Sequence, residues 1–329
     1  MKAIILYENA AWLAPLTDAL RDARIPFEAR FVHTGAFDFH EAPEPAVFIN
    51  RMSASADTRG HTDGLALAAH VLDWLEAFGI PVVNGSNAFA IEVSKVRQYA
   101  ALKGAGLRVP ATRVVVGGRG ELAAAVARPG LTFPCVYKYN RGGKGLGVVL
   151  LKTQGELGTF VRESHVPESA PGATHLLQQY IAPGTGPFIT RAELVDASFL
   201  YAIEADTSRG FELCPADGCE VSTASPQGAP QAAPQAAPQA AVCEAPTAGH
   251  QALFRLAAPL PSSFTQALEA FAARERIGLV GIESIVDASG TRYVYDVNCN
   301  TNYSPAVERE HGVSGRAAVA RLARKLANA

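Results

Sequence analysis

Cysteine is scarce. There are five in 329 residues, an odd number without regular spacing, which excludes a disulfide scaffold and fits a reducing, cytoplasmic setting. Neither sign of charge is in excess: 29 Lys and Arg stand against 31 Asp and Glu, a formal net charge of −2. That balance speaks against a general nucleic-acid or membrane-surface binder, since both rest on clustered cationic charge. No apolar run approaches the ~20 residues a bilayer-crossing helix needs. The opening, Met1-Lys2-Ala3-Ile4, meets a charge too early for a signal peptide. The histidines are scattered, none in a His-Glu-x-x-His pattern, and no Gly-x-Ser-x-Gly elbow occurs. Cys214, Cys219 and Cys243 lack the spacing and the histidine partners of a common zinc motif.

What is present is ample apolar material, 48% of the chain, enough for packed cores. At roughly 150 residues per domain the length suggests about two domains or one large composite. Strand-like runs at 3–7, 27–32, 46–50 and 80–84 alternate with helical spacing at 11–23 and 65–78, which reads as a parallel α/β sheet. A helix is expected over Glu92–Ala105, closed by Gly106. Further strands are expected at 113–116, 134–139, 148–151 and 176–181, with helices at 120–127 and 154–163. Segments 189–195 and 199–205 read as a strand pair turning at Asp196-Ala197. After an interruption come a helix at 263–276, strands at 279–287 and 293–297, and a basic amphipathic helix at 314–327 whose charges read as a solvated face. The interruption, Ser225–Ala241, repeats Pro-Gln every four residues with no charge and no aromatic side chain. Such a segment cannot bury enough surface to offset its ordering, so it reads as a disordered insertion within a domain, at about 223–248.

Two constellations carry chemistry. Asn140-Arg141-Gly142-Gly143-Lys144-Gly145-Leu146-Gly147 is glycine-rich, as loops that bring backbone close to phosphate are. Lys144 is not followed by Ser or Thr, and the loop opens a strand rather than a helix, so neither a Walker loop nor a dinucleotide fingerprint fits. It reads as a strand–loop–strand flap, with Lys138 on the strand leading in, or else as a solvated hairpin. The second is Glu283 on one strand and Asp296 and Asn298 on the next, joined by a turn at Ser289-Gly290. Positions two apart share a strand face, so Asp296 and Asn298 point the same way and Glu283 lies within reach. Two carboxylates and an amide oxygen are hard donors suited to Mg²⁺. Two acids this close repel each other, so the ligand-free protein is expected to lose nothing when Asp296 is neutralised.

On these residues the chain resembles the ATP-grasp superfamily, in particular its RimK-type carboxylate–amine (glutamate) ligases. The likeness also takes in Arg51-Met52-Ser53, Val82-Val83-Asn84-Gly85, Ser94-Lys95, Gly106-Leu107-Arg108-Val109-Pro110-Ala111-Thr112, Leu177-Gln178-Gln179-Tyr180-Ile181 and Thr190-Arg191. It runs over nearly the whole chain apart from the insertion. Departures are Gln178-Gln179 where the family usually has Gln-Glu, Ile189 in place of the acid of its Asp-Ile-Arg element, and Asp296-Val297-Asn298-Cys299-Asn300-Thr301-Asn302 at its end.

The resemblance implies an ATP-grasp fold, α/β and α+β: an N-terminal parallel α/β domain at 1–91, a small lobe with the flap at 92–178 and a C-terminal lobe with the metal site at 179–329, the two lobes clasping ATP. It implies ATP contacts from Lys95, Lys138, Gly142, Gly143, Lys144, Gly145, Gly147 and the hinge Gln178, Gln179, Tyr180 and Ile181. It implies one or two Mg²⁺, with Mn²⁺ as the alternative, on Glu283, Asp296 and Asn298, and catalytic roles for Arg191 and Lys138. The implied reaction joins a small-molecule or peptide carboxylate to an amine through an acyl phosphate. A hydroxyl-phosphorylating kinase or a non-catalytic nucleotide-binding module are the alternatives. No nucleic-acid or membrane partner is expected, and oligomerisation is left open.

The insertion generates the first test. Lengthening a loop costs only about 0.6 kcal/mol per doubling, so deleting Ser225–Ala241 should leave a cooperative melt at nearly the same temperature. A collapsed transition in the deletion variant would show that the segment carries structure.

Overall fold

The structure, a computed structural model, describes residues 1–143, 145, 147–163, 166–170, 172–208 and 254–328. The Pro-Gln insertion, Lys144 and Cys214, Cys219 and Cys243 lie outside the described residues.

The N-terminal part runs β1 (Lys2–Tyr7), α1 (Ala14–Asp22), β2 (Phe27–Phe31), β3 (Ala46–Arg51), α2 (Thr62–Ala77) and β4 (Val82–Val83). All four strands are parallel, in the order β2-β1-β3-β4. The central strands β1 and β3 are apolar at successive positions because both faces are covered. Ala3, Ile5, Val47 and Ile49 face one core with Leu16 and Leu20 of α1, while Ile4, Leu6, Ala46 and Phe48 face another with Leu65, Leu72 and Leu75 of α2.

Two short helices follow, α3 (Ser86–Glu92) and α4 (Lys95–Gly104). The helix expected from Glu92 therefore starts three residues later. The Ser94 hydroxyl caps α4 by accepting the Arg97 N–H, and its extended backbone breaks the chain direction. Next come β5 (Thr112–Val116), α5 (Arg119–Ala127), β6 (Cys135–Tyr139), β7 (Val149–Leu151), α6 (Gln154–Glu163) and β8 (Thr174–Gln179). These strands form an antiparallel sheet in the order β5-β8-β6-β7, with α5 and α6 packed on it through Leu122, Leu157 and Val161.

The rest is β9 (Phe188–Val195), β10 (Ser198–Asp206), β11 (Phe254–Leu256), α7 (Ser262–Arg274), β12 (Leu279–Val286), β13 (Arg292–Asn298), α8 (Pro305–His311) and α9 (Gly315–Ala327). Its antiparallel sheet has the order β11-β10-β9-β12-β13. Asp196 and Ala197 both have φ of 53°, the positive values a two-residue hairpin turn needs. One face of this sheet packs on α3, α4 and α7 through Ile91, Leu102, Leu268 and Phe271. The other packs on α9. The basic side of α9 is solvated as expected, but Ala318, Val319, Leu322 and Ala323 are buried in a core shared with β1, β3 and α1. The helix therefore joins the first sheet to the last.

A second joint is Asn84, just past β4. Its side-chain nitrogen donates to the carbonyls of Leu279 (2.9 Å) and Cys299, and its oxygen accepts the N–H groups of Gly278 (2.8 Å) and Leu279 (3.0 Å). All four hydrogen-bonding sites of the amide are thus used. Its backbone is left-handed, φ 61°, which Asn tolerates better than most residues.

Asn84→Ala should cost on the order of 3 kcal/mol or more, because several buried backbone groups lose their partners. Asn84→Gly relieves the backbone strain and should recover under about 1 kcal/mol of that loss. Urea unfolding of both variants measures it. A near-wild-type midpoint for either would mean that the joint is carried elsewhere.

Candidate functional site

One pocket opens where the three sheets meet. It is lined by Trp12, Ser53 and Ser55 from the segments that follow β1 and β3, by Lys138 and the glycine flap of the second sheet, and by Arg191, Glu283, Asp296 and Asn298 of the third.

Register places the charged residues. β12 pairs with both β9 and β13, aligning Arg191, Glu283 and Asp296 in one row and Glu193, Gly281 and Asn298 in the row two residues away. Rows two apart share a face, so the expected convergence of Glu283, Asp296 and Asn298 is present. The middle of the second row is a glycine for a steric reason. A Cβ on Gly281 would sit 2.6 Å from Arg191 Nε and 2.8 Å from Thr301 Oγ1. Without one, the Arg191 guanidinium lies across the sheet, donating to Glu193 Oε1 at 2.8 Å and to Thr301 Oγ1, with Nη1 3.8 Å from Glu283.

Lys95, the first residue of α4, donates to Asp296 Oδ1. Burial disfavours charge on Asp296, but Lys95 and Lys138 outweigh it and hold this carboxyl below its ordinary range. Burial also opposes the Lys95 charge, and Asp296 more than restores it. Glu283 is shifted the other way: burial, then the Asp296 charge, push it up, with Arg191 only partly opposing. Glu193 too is raised by burial despite Arg191 and Thr301. The repulsion anticipated between the two acids therefore falls on Glu283. Asp296 has a cation of its own, so the expectation that neutralising Asp296 leaves the ligand-free protein unharmed does not stand.

Lys138, on β6, is buried, its ammonium 5.3 Å from the Tyr99 ring centre and 6.0 Å from that of Tyr295. Two residues on, Asn140 anchors the flap to the start of α4: its carbonyl accepts the Lys95 N–H at 3.0 Å and its side chain the Val96 N–H at 2.9 Å. Gly142, Gly145 and Gly147 take φ of 148°, 75° and 71°, values that L side chains rarely adopt. Gly143 lies beside Ser55, and Arg141 lies 3.6 Å from Asp57, so the flap leans toward the first sheet.

At the far end Gln178 turns its side chain into the sheet, donating to Thr112 Oγ1 at 2.8 Å. The N–H groups of Gln179 and Tyr180 go to the carbonyls of Ala111 (2.8 Å) and Pro134 (3.0 Å). Tyr180 and Ile181 line the pocket with Val136, Ile189 and Ile285, apolar walls suited to a flat ring. Ile189 thus serves as wall where the resembled family carries an acid.

The donor set suits a hard divalent cation. Among the described residues no group of three or more His, Cys, Asp or Glu could hold a metal alone. Two carboxylates and an amide would leave most positions to phosphate oxygens and water, which is how Mg²⁺ is commonly held. Asn298 Oδ1 accepts the Asn300 N–H at 3.0 Å and keeps a second lone pair. The charge that raises Glu283 is what such a cation would relieve.

Several site residues were not singled out beforehand. Glu92 is buried in the wall, accepting the N–H groups of Ala54 (3.3 Å) and Cys299 (2.6 Å). Trp12, Ser55 and Asn302 also line the pocket. Glu193 had a legible signal: with Arg191 it forms an i, i+2 charge pair in an otherwise apolar strand. For the others only the fold brings them in.

No protein-family model and no curated protein matches the chain. Solved structures do. A RimK domain ATP-grasp protein from Sphaerobacter thermophilus is 17% identical with a TM-score of 0.62, covering 98% of this chain and 99% of that one. The D-cycloserine synthetase DcsG is 18% identical at TM-score 0.60, covering 98% and 99%. The ATP-grasp ligase PsnB, solved with a minimal precursor, is 15% identical at TM-score 0.61, covering 99% of each. The chain has the ATP-grasp fold, and at these identities the likeness is one of fold. Among the described residues no helix is long and apolar enough to cross a membrane.

The asymmetry between the two acids is measurable. Lys95 and Asp296 have side chains only 12% and 23% exposed. Asp296→Asn, which strands the Lys95 charge, should lower ligand-free stability by roughly 1–3 kcal/mol. Glu283→Gln leaves Arg191 still held by Glu193 and should leave the ligand-free protein as stable as wild type or more so. Thermal melts of both variants read this out, and a reversed order would refute the assignment of the repulsion to Glu283.

Proposed function

We propose that this chain is an ATP-dependent carboxylate–amine ligase. The observation that carries the reading is the arrival of Lys95, Lys138, Arg191, Glu283, Asp296 and Asn298 on one pocket, closed by a glycine flap on one side and apolar hinge walls on the other. Phosphoryl transfer asks little covalent chemistry of a protein. It asks for positioning and for charge opposite the transferring group.

In this reading the base lies between Ile181, Ile189 and Ile285. Lys138 and the flap amides of Gly142, Gly143 and Gly145 meet phosphate oxygens. Glu283, Asp296 and Asn298 hold Mg²⁺, which when bound supplies charge neutralisation on the phosphates. A substrate carboxylate attacks the γ-phosphate to give an acyl phosphate and ADP. An amine then displaces phosphate and forms the amide. Arg191, fixed by Glu193 and Thr301, faces the charge that develops. The similar ligase PsnB has been solved with Mg and ADP and with the precursor peptide PsnA2 and AMPPNP, which supports the nucleotide and metal roles and makes a peptide a candidate substrate.

The test is a panel of amino acids and short peptides with Mg·ATP. ADP, phosphate and an amide are expected, and hydroxylamine should intercept the acyl phosphate as a hydroxamate. ADP with a phosphoester would make the chain a kinase instead, and no turnover with any pair a binding module. Lys138→Ala should lower turnover or ATP affinity by about 1.5–3 kcal/mol, roughly ten- to a hundredfold, and should also lower the ligand-free melting temperature, since Lys138 helps offset the buried Asp296 charge. Unaltered activity would remove Lys138 from the site.

A further inference from the structure

Among the described residues, Arg51, the last residue of β3, is a buried cation with no carboxylate in salt-bridge contact; Glu92 acts on it only through its charge. Its Nη1 donates to the Thr301 carbonyl at 3.1 Å and its Nη2 to Asn302 Oδ1 at 2.9 Å, both neutral acceptors. Its Nε is buried with no hydrogen-bond partner among the described residues. Burial pushes the guanidinium down to about 10. The Tyr303 hydroxyl, which lines the same void, is also buried and has no hydrogen-bond partner among the described residues. Arg51 and Tyr303 line a void about one water molecule in size, with Arg316 in its wall. Trp12 and Asn302 line both this void and the main pocket, so the two adjoin.

Buried charges are ordinarily paired, and buried donors ordinarily satisfied. Among the described residues the buried side-chain atoms without a partner are Arg51 Nε, the Tyr303 hydroxyl and the acceptor Asn300 Oδ1; the first two, a bare guanidinium donor and a hydroxyl beside it, describe an unfinished anion site. The geometry narrows the anion. Nε and Nη2 form the edge of a guanidinium that a carboxylate binds through two parallel hydrogen bonds. Here Asn302 Oδ1 covers half of that edge with a neutral oxygen, and the other half is bare.

We infer that the Arg51 edge and the Tyr303 hydroxyl form a carboxylate subsite, reached from the main pocket when the Asn302 side chain swings aside. One of the two substrates would then bear a spare carboxylate that the reaction does not consume, as a free amino acid or a peptide C-terminus does. This rests on the ligase reading only for the source of the carboxylate; the binding itself can be tested without turnover.

The experiment is thermal melting of the full chain without nucleotide, at constant ionic strength, with acetate, acetamide or chloride. Acetate should raise the wild-type melting temperature by about 2 °C or more, and acetamide and chloride should not. Asn302→Asp places a fixed carboxylate on the Arg51 edge. It should raise the ligand-free melting temperature and abolish the acetate response. Tyr303→Phe removes a hydroxyl without a partner, so it should keep the ligand-free melt and weaken the acetate response. An equal response to chloride or acetamide, an acetate response that persists in Asn302→Asp, or a lowered melt in that variant would overturn the subsite. The melting shift with Mg·ATP, read in the same samples, reports on the nucleotide site separately: its absence in wild type would count against the ligase reading and leave the anion result standing.

Discussion

The pocket depends on a buried sequence of alternating charges that closes at every link but one. Glu193 holds Arg191, Arg191 reaches toward Glu283, and Lys95 holds Asp296. In a low-dielectric interior each of these charges would be prohibitive alone and is tolerable only beside its opposite. The exception is the step from Glu283 to Asp296, two acids facing each other across β12 and β13. Lys95 and Lys138 resolve it for Asp296 and leave it unresolved for Glu283. On the ligase reading, a site poised this way costs stability when empty and would gain most from a divalent cation.

Such a row needs a rigid seat, and the fold supplies it at three levels. The row lies on β9, β12 and β13, away from the sheet's β11 edge, with Gly281 leaving room for the guanidinium above it. Lys95 arrives on the first residue of a helix whose start is tied to Asn140 at the foot of the flap, so the cation and the flap share one anchor. The first sheet is held against the last by Asn84 and by α9, and that is why Ser53 and Trp12 can wall a pocket whose charged row, Arg191, Glu283 and Asp296, lies on the last sheet.

Much of this was legible in order along the sequence because it depends on local period. The parallel first sheet, the flap between two strands and the β12–β13 pair with its carboxylates all follow from alternation, glycine content and turn residues. What escaped depends on register between distant segments. The Asn84 joint pairs with residues about 195 and 215 positions away, and the buried face of α9 was masked by its arginines. The break between α3 and α4 was missed because periodicity ran on through Ser94 while the cap did not. The pairing of Lys95 with Asp296 was beyond reach for the same reason, and it reversed an energetic expectation that the strand pattern alone had suggested.

The pocket is graded from end to end. Ile181, Ile189 and Ile285 make one stretch of wall apolar, the charged row makes another, and Trp12, Ser53, Ser55, Asn300 and Asn302 make a third that is largely polar, with the Glu92 carboxylate among them. On the ligase reading those zones receive base, phosphates and acceptor in turn. The polar end is then the informative one. Hydroxyls, amides and the Glu92 carboxylate can orient a substrate but cannot neutralise an anionic one, and the buried cation Arg51 lies behind Asn302 rather than in the open pocket. Discrimination at that end would come from whether an incoming group can displace one amide oxygen from one guanidinium edge. That exchange favours an anion over a neutral isostere, because only the anion supplies the charge the buried guanidinium lacks.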